Sequence, residues 1–358
     1  MGLRHHGRSE AVTRALSDFG SEDSFVHAAQ RFAEHYHYRL SSSTAKRVTK
    51  QVAQEAESYV AERLAQAAYP EAGATPPADR VHDLLIELDG CQIRTATLQP
   101  VEDPDETEAD TLAPRRKKVV AWQEVRMGLA RGLEATTKTY VGKHASYAAV
   151  VYDLFQAAVL EGMSPETAVT AIADGAIGLR EALDARIPDL LFILDKTHLK
   201  DQLYATAEDM GLPAPDRAPW VQPRLATISQ GHVQDVLDDL MATHTESPHP
   251  RLLQLHGYLT RFADAVDYES FHNYGYPIGS GEVESSHRSV PQKRLKLPGA
   301  CWHPDSVNPM VALRVLRANG WWEAFWEERQ MKRLGQTGEV VGDGDTPCGT
   351  SPSHATHR

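Results

Sequence analysis

Six residues in four short motifs could do chemistry together. They are Asp89 in "ELDG", Asp174 in "ADGA", Asp195 and His198 in "ILDKTH", and Glu282 and Glu284 in "IGSGEVESSHRSV". Carboxylates crowded into one place repel unless divalent cations neutralise them, and oxygen-only ligands favour Mg²⁺ or Mn²⁺. Two such ions can activate a nucleophile and stabilise the leaving oxygen of a phosphodiester. Glutamates two apart on a helix point to nearly opposite sides, because each residue turns the chain by about 100°. Glu282 and Glu284 therefore cannot both face one site. Asp-Gly after a strand is also a common turn, so the two aspartates gain meaning only from joint placement. One His and one Asp, His198 and Asp195, are too few for zinc.

The elements that must position these groups read as follows. In "EDSFVHAAQRFAEHYHYRL", Phe25, Ala29, Phe32, Ala33 and Tyr36 recur at helical spacing, with Asp23 or Ser24 as cap. A second helix follows "SSST", with the stripe Ala45, Val48, Val52, Ala56 and Tyr59 and with Lys46, Arg47 and Lys50 off it. This pattern fits a helix-turn-helix reader or an ordinary helical hairpin. "PEAGATPPADR" reads as a linker. "HDLLIELDGCQIRTATL", "KKVVAWQEVRMGLARGL" and "EATTKTYVG" then read as a three-strand meander. "SYAAVVYDLFQAAVLEGM" is a helix, "TAVTAIADGA" a strand, "IGLREALDARIP" a helix and "DLLFILD" a strand.

That order predicts an α/β fold, a mixed sheet whose first strand pairs in parallel with its fourth. It is the element order of the RNase H-like fold. Asp89 and Asp174 would then stand at similar height on neighbouring strands, and a glutamate from a late helix would complete the cluster. The expected organisation is a polar tail at 1–20 and a helical DNA-binding domain at 21–79. The core runs over 80–198 and resumes at 276–333, split by an all-helical insertion at 199–275, and 334–358 form a disordered tail. Trp220, in the insertion, fits a helical core or a stacking platform for a flipped base.

Composition narrows the function classes. With 358 residues, 41% hydrophobic and 24% charged, the balance is that of a soluble globular protein. No apolar run approaches the roughly 18 to 20 residues of a membrane span. Three cysteines far apart support neither a zinc ribbon nor a disulfide framework, and fit a cytoplasmic protein. The net charge of −12 argues against coating nucleic acid by overall charge, but charge is distributed unevenly. Six acids lie in "EDPDETEAD", whereas "SSHRSVPQKRLKLPGAC" holds four bases and no acid. The "GSG" at 279–281 lacks the glycine pattern and lysine of a phosphate loop.

Taken in this order, the four motifs, with "RLKLPGACW" after the last, resemble bacterial insertion-sequence transposases of the DDE class. The Kra group is the nearest likeness, with Mutator-like relatives. The resemblance covers roughly residues 20 to 330. It implies that Asp89, Asp174 and Glu284 hold two Mg²⁺ or Mn²⁺ ions, with Asp195 and His198 in support. Glu282 would face away or bond near the helix start. It also implies strand cleavage and transfer at transposon ends by a homodimer or larger assembly in the bacterial cytoplasm. Arg288, Lys293, Arg294 and Lys296, with Lys46, Arg47 and Lys50, would contact DNA phosphates. Pro291 departs from a continuous glutamate helix, since it must kink or end there. Relatives often carry an upstream cysteine-rich ribbon, and this chain has none. Two alternatives stand beside the transposase: a metal-dependent nuclease of the same fold, and a non-catalytic DNA-binding descendant.

Overall fold

The computed structural model describes residues 9–70, 80–100, 116–242 and 249–339. The expected linker, the acidic segment 102–110 and most of the C-terminal tail lie outside these residues.

The chain begins with α1 (Glu10–Glu22), α2 (Phe25–Tyr36) and α3 (Ser42–Ala65). Ser9, Ser24 and Ser41 cap them, each side-chain oxygen accepting from an amide three residues on. Helix α1 corrects the tail expected at 1–20. Leu16 and Phe19, spaced to share a face, bury against Ala28, Phe32, Ala45 and Val48, so the segment has apolar surface to hide. Gly20 lets α1 approach α3, where a Cβ would overlap Thr49.

A mixed five-stranded sheet follows, in the order β3-β2-β1-β4-β5. Its strands β1 (Asp83–Pro100), β2 (Arg116–Gly132) and β3 (Thr139–Lys143) are the antiparallel meander. Helix α4 (Tyr147–Leu160) crosses to β4 (Ala168–Ala173), and α5 (Leu179–Arg186) to β5 (Leu191–Leu194). Strand β4 joins β1 in parallel, as the element order predicts, and β5 joins β4 in parallel. Leu84, Leu85, Ile86 and Leu88 are all buried, because the central strand is covered on both faces.

The regular structure of the insertion's described residues is all helical. It holds α6 (Lys196–Asp209), α7 (Ala214–Ser229), α8 (Val233–Ala242), α9 (Pro250–Arg261) and α10 (Tyr268–Asn273). Trp220 packs half-buried against the core with Arg224 over its ring, 4.3 Å from the centroid.

The chain returns as α11 (Gly281–His287), a π-helical turn over Arg288–Gln292, and α12 (Lys293–Leu295). Pro291 lies in the π turn, and it is here that the regular helix ends. Arg314 accommodates the break, donating to the carbonyls of Ser289 and Val290. Helices α13 (Val307–Ala318) and α14 (Trp322–Glu339) close the fold, so regular structure continues past the expected boundary at 333. The first half of α3 belongs to the N-terminal core. Its second half, from Val52 to Leu64, belongs to the core around the sheet. Among the described residues no helix is long and apolar enough to cross a membrane.

Candidate metal centre

The parallel register sets the site. Strands β1 and β4 pair as far as Leu88 and Ala173, and β4 and β5 as far as Ala173 and Leu194. The next residue on each strand is an aspartate. Asp89, Asp174 and Asp195 thus come level at the carboxyl edge of three adjacent strands, where crevices for ligands open in such sheets.

Their environments give them different work. Asp195 caps α6 and is buried; its Oδ1 accepts from the His198 amide at 2.9 Å. Its Oδ2 accepts from the Ser280 amide at 2.6 Å and the Ser280 hydroxyl at 2.7 Å. Burial opposes its charge, but the hydrogen bonds from His198 and Ser280 outweigh this and hold the carboxyl well below the usual range. Asp195 therefore binds the insertion and the α11 segment to the sheet edge. His198 lies with Nδ1 3.3 Å from Asp195 Oδ1, and its pKa is pushed up to about 9, chiefly by that close carboxylate.

Asp89, Asp174 and His198 each offer one ligand atom, and the three atoms lie within 4.8 Å of one another. Burial raises the pKa of Asp174, an effect to which the charge of Asp89 adds. For Asp89 burial acts the same way, but the contact with His287 and the Gly90 amide, at 2.7 Å, outweigh it and the pKa falls. These two carboxylates and an imidazole fit a small divalent cation with a preference for oxygen ligands. An imidazolium cannot ligate, so a cation held through His198 would have to displace its proton.

Two further residues fix the glutamate helix. Glu87, 1% exposed in the otherwise apolar run Leu84–Leu88, accepts from the Val283 amide at 2.8 Å. Burial pushes its pKa up to about 7. His287, 3% exposed, places Nε2 3.3 Å from Asp89 Oδ2. Sequence pattern assigns no role to either. The detectable signal for Glu87 is an acid inside "LLIEL", where a charge is rarely placed without a partner.

Glu282 is ion-paired to Arg131, at 2.7 Å, and to Lys138. Glu284 is exposed, one turn before His287, and is not among the atoms grouped within 4.8 Å. Arg288, Lys293 and Lys296 are exposed, Lys293 pairing with Glu22. Lys46 and Arg47 are exposed on α3, and Lys50 is half-buried. Arg294 differs from the expectation of a phosphate contact. It is 2% exposed, its guanidinium lying 4.5 Å from the Phe25 ring centre and 4.7 Å from that of Trp302. Its Nε donates to the Gly20 carbonyl at 2.8 Å, which leaves it no surface to offer DNA.

Helix α9 reaches the site through Tyr258. A Cβ on Gly175, directly after Asp174, would overlap the Tyr258 ring. That ring packs on Phe262, which stacks on Phe192 of β5. The glycine of "ADGA" is thus required by a side chain from the insertion. Gly175→Ala is expected to destabilise the fold by about 2 kcal/mol through overpacking. A double-mutant cycle in urea checks the cause: the cost should shrink in a Tyr258→Ala background. An equal cost in both backgrounds would place the strain elsewhere.

No protein-family model matches the chain, and no curated protein matches it. Among solved structures it is similar to a Drosophila P element transposase strand transfer complex. The identity is 9%, over 90% of this chain and 81% of that one, with a TM-score of 0.29. It is also similar to the Mos1 strand transfer complex, at 10% identity over 74% of this chain and 82% of that one, TM-score 0.18.

Proposed function

We propose that the chain is a DNA transposase of the DDE class, built on an RNase H-like core. The observation that carries this reading is the level placement of Asp89 and Asp174 on adjacent parallel strands, with His198 beside them. The strand order, with a helical insertion between β5 and the glutamate helix, is what the motif resemblance implies.

In this reading Asp89, Asp174 and His198 hold Mg²⁺ or Mn²⁺, and Glu284 supplies a further carboxylate from α11. His287 occupies the same helical face one turn on, and its contact with Asp89 sets that face towards the site. Bound divalent metal supplies Lewis acidity to the attacking and leaving oxygens of a phosphodiester. Asp195 and Ser280 keep α6 and α11 in register, Glu87 anchors the start of α11, and Glu282 is spent on Arg131 and Lys138. Arg288, Lys293 and Lys296 offer phosphate contacts on one side. Lys46, Arg47 and Lys50 offer them on α3, the second helix of a helix-turn-helix-like unit. Two ends must be joined, which calls for a dimer or larger assembly on DNA.

The test is a cleavage and joining assay with Mg²⁺ or Mn²⁺ and labelled DNA from the borders of the chain's own gene. Cut and joined products are expected. Cutting without joining would replace transposition with a nuclease of the same fold. DNA binding without metal binding or cutting would replace it with a non-catalytic descendant.

A further inference from the structure

Beyond Leu88, β1 has left β4 behind, and β2 meets β3 only over Arg126–Ala130. Residues Gln92–Pro100 and Arg116–Glu124 therefore pair with each other as a two-stranded ribbon beyond the five-stranded sheet. One bridge, Thr95 to Trp302, fastens it to the segment after α12. The face carrying Cys91, Ile93 and Thr95 is buried. The other face is open. It presents three successive cross-strand pairs, Arg94 with Trp122, Ala96 with Val120 and Leu98 with Lys118. Trp122 is 63% exposed, Leu98 62% and Val120 41%. Neither Arg94 nor Lys118 makes an ion pair among the described residues, and Glu124 on the same face is neutralised by Arg126 at 2.6 Å.

We propose that this open face of the ribbon is a docking surface for double-stranded DNA. The inference rests on the transposase reading and adds a contact region to it. A two-stranded ribbon is narrow enough to enter the major groove. Arg94 and Lys118 meet phosphates on either side, and Trp122, Val120 and Leu98 meet the apolar sugar and base-methyl surface between them. In a chain of net charge −12, cations grouped around an exposed tryptophan are complementary to a polyanion whose grooves expose apolar methyl groups. Arg94 lies five residues beyond Asp89, about 17 Å along the strand at roughly 3.4 Å per residue. The contact thus falls within one turn of duplex from the metal centre. The six acids of 102–110 lie outside the described residues, so the contact is assigned to the part of the ribbon nearer the site.

The experiment is a fluorescence-anisotropy titration of the full chain with a labelled random-sequence duplex in EDTA, over a series of salt concentrations. Trp122→Ala is expected to weaken binding about tenfold, through loss of buried apolar surface. Arg94→Ala with Lys118→Ala should lower the slope of log affinity against log salt by about one unit per cation. Circular dichroism and sedimentation of each variant accompany the titration. Duplex binding that none of these substitutions changes would overturn the ribbon proposal and leave the transposase reading standing. Substitutions that break up an oligomer while DNA affinity holds would make the face an interface between copies, and also overturn it. A folded wild-type chain that binds no duplex at all would overturn both readings.

Discussion

If the chain is the proposed transposase, Asp89→Asn and Asp174→Asn are each expected to lower DNA cleavage by about 10³-fold or more, since a cation held here would supply several kcal/mol of charge stabilisation. Each removes a charged oxygen from a group of three ligand atoms lying within 4.8 Å. The remaining carboxylate and imidazole hold a hard cation poorly. Calorimetry with Mn²⁺ gives a readout independent of catalysis, and binding should fall with both variants. Glu284→Gln should follow the aspartates in cleavage. Glu282→Gln should leave cleavage near wild type, because its carboxylate is committed to Arg131 and Lys138. Cleavage that survives either aspartate change would remove the metal-centre mechanism. Loss with Glu282→Gln and none with Glu284→Gln would exchange the roles of the two glutamates.

Arg294→Ala is expected to destabilise the protein by about 3 kcal/mol, because a buried guanidinium contributes stacking, packing and a hydrogen bond together. Arg294 is held between Phe25 of α2 and Trp302, and it donates to Gly20 of α1. One side chain thereby ties the N-terminal helices to the segment after α11. Burial lowers its pKa to about 10, so it remains charged at neutral pH. Arg294→Lys should rescue little, since an ammonium cannot fill a flat slot between two rings. Urea denaturation measures the loss. Unchanged stability with a reduced salt slope of DNA binding would return Arg294 to the phosphate contacts.

The contrast between these two sets of residues shows what the sequence makes legible. Asp89 and Asp174 follow apolar strand runs, and parallel pairing is periodic, so their level placement follows from the order of residues alone. His198 is legible as a neighbour of the site, three residues past a strand end. Its approach to Asp89 and Asp174 depends on the turn into α6, which Asp195 caps. Arg294 is not legible. Charge composition marks "QKRLK" as basic throughout, and only the docking of α1 and α2 decides that the middle arginine turns inward. Helix α1 is hidden in the sequence for a related reason. Its apolar face is short, and the core it fills is contributed by α2 and α3. The role of Gly175 is likewise set by Tyr258, more than 80 residues later in the chain.

Helix α3 carries a consequence for how such a protein can change. Its first turns belong to the N-terminal core and its later turns to the core around the sheet, as one continuous 24-residue rod. A unit attached in that way is not a cassette. Exchanging it for the corresponding helices of another protein would also replace part of the sheet's own packing. If the chain reads DNA through α3 as proposed, new preferences would be most accessible through substitutions on its exposed side, around Lys46 and Arg47, one residue at a time. The architecture favours gradual retuning of recognition over the shuffling of whole modules.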